Sequence, residues 1–86
     1  MDEIIKTFQD GTVQACIVAK NYSGRLYYRT TFRREYLHKR SGEIKFSYDY
    51  GDHHLESLRK VARQSQQWLQ SQKANAEVTV GHRHGA

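Results

Sequence analysis

The sequence predicts an α+β domain in which a curved antiparallel sheet of three to four strands packs on one C-terminal helix, in the order ββββα. Three observations carry this reading. Glycine-bearing turn signals divide the first half of the chain, the segments between them alternate apolar and polar side chains, and after Gly51 the apolar period lengthens to that of a helix.

The turns are Gln9-Asp10-Gly11, Asn21-Tyr22-Ser23-Gly24-Arg25 and Lys39-Arg40-Ser41-Gly42, each with a glycine able to take a positive φ. A short first strand is expected at about 3–8. The second, 12–21, puts Val13, Ala15, Ile17 and Ala19 on one face and Gln14, Cys16, Val18 and Lys20 on the other. The third, 26–37, separates Tyr28, Thr30, Phe32, Arg34 and Tyr36 from Tyr27, Arg29, Thr31, Arg33 and Glu35. The fourth, 43–50, is expected to aim Ile44, Phe46, Tyr48 and Tyr50 at the core and Lys45, Ser47 and Asp49 at solvent.

A helix over 53–72 follows, because Leu55, Leu58, Ala62, Ser65 and Leu69 share a stripe that Val61 and Trp68 widen. Asp52 is its expected N-cap, with a carboxylate suited to the unpaired amides of the first turn. Residues 1–72 thus form one ββββα domain and 73–86 a flexible tail, within which Glu77-Val78-Thr79-Val80 offers an additional edge strand.

A chain of 86 residues with Cys16 as its one cysteine has neither the length for a thick core nor a disulfide to replace it. The core is built from aliphatic and aromatic side chains alone or shared with a second copy, so a homodimer is expected. The lone thiol and the lack of a charged-then-apolar leader point to the cytoplasm. No membrane span is expected, since the longest apolar run, Ala15 to Ala19, falls far short of the roughly 20 residues a bilayer requires.

Fourteen Lys and Arg against nine Asp and Glu give a formal charge of +5, which favours polyanionic partners. Lys20, Tyr27, Arg29, Arg33 and Lys45 are expected on the open face, with Arg25, Lys39 and Arg40 in adjoining loops. Cations that track phosphates beside a ring that stacks on unpaired bases are the chemistry of single-stranded nucleic-acid binding. The rival reading is a solvated face whose arginines pair with Glu35, Asp49 or Glu43.

Enzymatic chemistry is not expected. Cys16 lies mid-strand without a neighbouring base, and Glu43, Asp49 and Asp52 flank a turn and a helix start, where carboxylates have structural roles. His53-His54 and His82-x-His84 do not make a ligand quartet, so neither metal nor cofactor is expected.

The succession Arg34-Glu35-Tyr36, a glycine turn, Gly42-Glu43-Ile44-Lys45 and a helix entered near Leu55 and Leu58 resembles the single-stranded DNA-binding coactivator domains of the positive-cofactor-four type. Whirly and purine-rich-element-binding repeats share that order of elements. This resemblance implies a curved sheet, a dimer, phosphate contacts from Lys20, Arg29, Arg33 and Lys45, and a base contact from Tyr27.

Over about 6–69, Lys6-Thr7-Phe8, Asp10-Gly11, Ala15-x-Ile17, Thr31-Phe32-x-Arg34-x-Tyr36, Gly42, Leu55-x-x-Leu58 and Val61-Ala62 resemble small bacterial proteins carried on plasmids and integrative elements. Val18 stands where many of those have Trp, and the loop from Tyr22 to Arg25 differs. The expected function is a non-enzymatic nucleic-acid-binding module preferring single strands. The alternative is an accessory factor of a mobile element that docks a host or element-encoded protein.

Overall fold

The computed structural model describes residues 3–81, with side chains through Lys73. Four strands, β1 (Ile4–Asp10), β2 (Val13–Tyr22), β3 (Arg25–His38) and β4 (Glu43–Ser47), are followed by a 3-10 turn (Asp52–His54) and one helix, α1 (Leu55–Gly81). The strands pair antiparallel in sequence order as one open sheet, so the predicted ββββα arrangement is the one observed.

β2 is the axis of the core. Val13 and Ala15 are fully buried against Val61 of the helix, and Phe8, Phe32, Tyr50 and Leu58 pack around them. Ile17 is also fully buried on that face. The other face of β2 is shielded too, because Gln14 lies between Gln9 and Arg33, and Cys16 between Thr7 and Thr31. Ser65 fits within the apolar helix stripe by donating its hydroxyl to the Val61 carbonyl at 2.8 Å.

The helix lies across β1 and β2 and meets β3 only lightly. Its first turn is tied down by Ser57, whose hydroxyl donates to Asp10 Oδ2 at 2.6 Å, and Lys60 Nζ lies 3.5 Å from Oδ1. The serine hydrogen bond, helped by the lysine charge, holds the Asp10 carboxyl below its ordinary range. This tie is therefore present near neutrality and is lost as acid protonates the carboxylate. The offset helix makes a thin plate, with a radius of gyration of 16.5 Å against about 12 Å for a compact domain of this length.

Three sequence expectations change. The helix runs to Gly81, since nothing from Lys73 to Val80 interrupts it and Lys73, Ala74, Ala76 and Glu77 are good helix formers. Glu77–Val80 is accordingly helical and adds no strand, while 82–86 lie outside the described residues. The fourth strand stops at Ser47, and its faces are reversed: Ile44 pairs with Leu37 and Phe46 with Glu35, on the side away from the helix. That register follows from the turn joining His38 to Glu43, and no helix lies over β4 to reward the opposite one.

The third change is at the helix entry. Asp52 makes no side-chain cap; instead the Gly51 N–H donates to His54 Nδ1 at 3.0 Å, and the His54 N–H donates to the Gly51 carbonyl at 2.9 Å. Accepting at Nδ1 requires a neutral ring. Partial removal from water lowers the His54 pKa, the charges of His53 and Arg34 lower it further, and Asp49 opposes them.

A depressed histidine pKa means that the unfolded chain binds the proton more readily. Stability is expected to be level above about pH 6.5 and to fall as pH drops below it. NMR titration should give His54 a midpoint below that ordinary value, and His54→Ala should remove the corresponding step from a melting-temperature profile.

The β2–β3 turn carries a second prediction. Ser23 and Gly24 form a two-residue loop with φ of 53° and 79°, the type I′ form whose twist suits the strands, and the Gly24 N–H donates to Asn21 Oδ1 at 3.2 Å. Serine is the less suited of the pair at positive φ. Ser23→Asn is expected to stabilise the fold by roughly 0.5–1 kcal/mol in a urea titration.

Candidate nucleic-acid interface

The odd-numbered side chains of β3 face away from the helix, so Arg25, Tyr27, Arg29, Thr31 and Arg33 form one row on the open face. Cross-strand pairing brings Lys20 beside Tyr27 and Tyr22 beside Arg25 on that same face. Among the described residues, β1 pairs with β2 as far as Val18 and β4 with β3 as far as Arg34, so the hairpin projects beyond these two strands. Its aromatics are therefore accessible.

Tyr22 and Tyr27 are 61% and 44% exposed, with ring centroids 6.0 Å apart at 62°. Lys20 Nζ lies 6.0 Å from the Tyr22 centroid and the Arg25 guanidinium 5.8 Å from that of Tyr27. Each ring is thus companion to a cation, an arrangement worth about 0.5–1 kcal/mol at an exposed site. The ring surfaces not occupied by these contacts are available to a planar ligand.

At the other end of the row, Arg33 is held in place without an ion pair. Its Nε donates to Gln14 Oε1 at 2.7 Å, and its guanidinium lies 3.8 Å from the centre of the Phe46 ring. The Gln14 amide nitrogen donates in turn to Glu35 Oε1 at 2.9 Å and Gln9 Oε1 at 3.2 Å. The nearly buried Gln14 amide therefore has both ends satisfied, while the terminal nitrogens of Arg33 have no protein partner among the described residues. A side chain fixed by stacking and one hydrogen bond loses less freedom when it binds an anion.

Among the described residues, ion pairs engage Arg34 with Asp49, Lys45 with Glu43, Arg59 with Glu56 and Lys60 with Asp10. Arg25, Arg29 and Arg33 take part in none of them. Among the described residues, the three carboxylates that the solvated-face reading named are engaged elsewhere: Asp49 with Arg34 on the opposite face, Glu43 with Lys45, and Glu35 with Gln14. The hydroxyl of Ser47, with Arg34 behind it, lowers the Asp49 pKa.

The structure brings Lys20, Arg25, Tyr27, Arg29 and Arg33 together on one surface. Lys39 and Arg40 lie in the β3–β4 turn, beyond Glu35 and Leu37 on this face. Lys45 is misplaced in the sequence reading: it pairs with Tyr36 on the helix side, because the register of β4 is opposite to that expected. Tyr22 and Phe46 were not foreseen as members. The parity of Tyr22 with Lys20 in β2 was a usable signal, whereas the face of Phe46 depends on the register.

Of the remaining candidates, the Cys16 thiol is buried among threonines, and the His53 and His54 rings lie against each other with centroids 3.9 Å apart. No group of three or more potential metal ligands occurs among the described residues, and His82 and His84 lie outside them. No described helix is long and apolar enough to cross a membrane. The chain matches no protein-family model, no curated protein and no solved structure.

Proposed function

We propose that this protein is a non-enzymatic binding module for single-stranded nucleic acid, held along the outer face of β2 and β3. The observation that carries this reading is the exposed Tyr22–Tyr27 pair in line with Arg25, Arg29 and Arg33, none of which forms an ion pair with a carboxylate among the described residues. Unpaired bases present ring faces to the tyrosines, and the phosphates between them run along the arginines.

The row from Arg25 to Arg33 spans about 27 Å of strand, enough for several nucleotides of extended chain. A duplex keeps its bases stacked inside and offers nothing to a tyrosine face, so preference for single strands follows from the aromatic pair. With the arginines on phosphates and the tyrosines on ring faces, sequence selectivity is expected to be weak.

Fluorescence anisotropy with a labelled oligothymidylate tests the proposal. Neutralising three or four phosphates on a single strand gives a salt slope of about −2 to −3, so affinity should fall about 20- to 50-fold between 50 and 200 mM salt. No binding at the lower salt, or binding indifferent to salt, removes the proposal and leaves the accessory-factor reading.

Substitutions separate the contributions. Tyr22→Ala and Tyr27→Ala should each weaken binding by about 1–3 kcal/mol, from lost stacking. Arg29→Ser should reduce the salt slope by about 0.7. Lys45→Ser, on the other face, should leave affinity unchanged, and a loss there comparable to that of Arg29→Ser would show that the ligand lies elsewhere.

A further inference from the structure

Among the described residues, β3 pairs with β2 from Arg25 to Arg34 and, on its other edge, with β4 only from Arg34 to His38. Residues Arg25 to Arg33 therefore present an open strand edge. The direction of its groups follows from one bond: the Glu35 N–H donates to the Thr12 carbonyl, toward β2. By alternation, Leu26, Tyr28, Thr30 and Phe32 aim their N–H and C=O groups outward.

Those same four side chains lie on the helix side and, with Ala62 and Leu69 of the helix, line an apolar groove of about 700 Å³. Leu26 at its mouth is 57% exposed. An unpaired edge beside an uncovered apolar groove is a surface that proteins ordinarily cover or charge. Here it is left bare beside a core that has five buried apolar residues among the described ones.

We propose that a second copy of this chain covers it, the two β3 strands pairing antiparallel about a two-fold axis at Arg29. In that register Leu26 meets the partner's Phe32, Tyr28 meets the partner's Thr30, and Arg29 meets its own counterpart. All four outward-facing residues are used, forming about eight main-chain hydrogen bonds. It is the longest symmetric register that stops short of β4, because the partner's Arg25 falls opposite Arg33.

The edge is about 30 Å long, and the sheet with the helix above it is about 20 Å tall, so each copy covers roughly 600 Å². The total of about 1,200 Å² reaches the lower bound of a stable interface. A lone extended peptide would satisfy the edge but not span the height of the groove, whereas a second copy brings a facing groove with the same apolar lining. Two helices then lie on one face of an eight-stranded sheet.

On the opposite face the two arginine rows meet across the axis. Their mutual repulsion weakens the pair at low salt, and screening relieves it. A polyanion lying across both rows relieves it further; that consequence rests on the nucleic-acid reading, whereas the pairing does not.

Cross-linking tests the register. Arg29 faces its counterpart in a non-hydrogen-bonded pair, at about the 4.5 Å Cα separation a disulfide accepts. Arg29→Cys should form a disulfide dimer under mild oxidation, while the native chain, with Cys16 buried, should not. Tyr27→Cys and Thr31→Cys should remain monomeric on reducing-agent-free gels alone and cross-link when mixed.

Sedimentation of the native chain at tens of micromolar should show twice the monomer mass. Leu26→Glu, at an exposed position, and Thr30→Pro, which removes only an outward N–H, should return the monomer with an unchanged circular dichroism spectrum. A native monomer, or a dimer lacking this cross-linking pattern, overturns the proposal. Nucleic-acid binding by such a monomer would leave the earlier reading standing, and a native dimer, with Tyr27 and Arg29 intact, that binds no oligonucleotide would remove that reading alone.

Discussion

The architecture depends on the burial of one strand under one helix. Val13, Ala15 and Ile17 give β2 a continuous apolar face, and Val61 closes it from above, with Phe8 and Phe32 completing the cluster from the flanking strands. Because this cluster sits over β1 and β2, the helix is drawn to that side. The outer half of the sheet is left uncovered on both faces, and the candidate ligand row and the open edge both lie within this uncovered half.

Much of this arrangement was legible from the chain. Glycines marked the turns because those turns require positive φ, and the period of two in β2 and β3 correctly sorted the helix side from the arginine side. The face of β4 was not legible. Ile44 and Phe46 look like core side chains, but alternation specifies only which residues share a face; which way that face points is set by pairing with β3 through the His38–Glu43 turn. Lys45 was misplaced for this reason, and Phe46 was missed as a platform for Arg33.

The position of the helix across the sheet was also beyond sequence pattern. A stripe on a helix says which side is buried, but not which two strands it spans. The difference decides that Tyr36, on the helix side of β3, remains exposed while Tyr50 enters the core, where its hydroxyl is buried without a partner among the described residues and burial raises its pKa. The exposed Tyr36 ring and the uncovered groove beside the β3 edge thus share one cause, the displacement of the helix toward β1.

The lone thiol offers a reporter built into this arrangement. Cys16 lies in a central strand, 4% exposed, with threonine neighbours on both sides and no disulfide partner. An alkylating reagent reaches it only when the strands around it part, so its labelling rate measures how often the middle of the sheet opens. Anything that clamps the flanking strands slows that reaction, and the native chain can report it without an added probe.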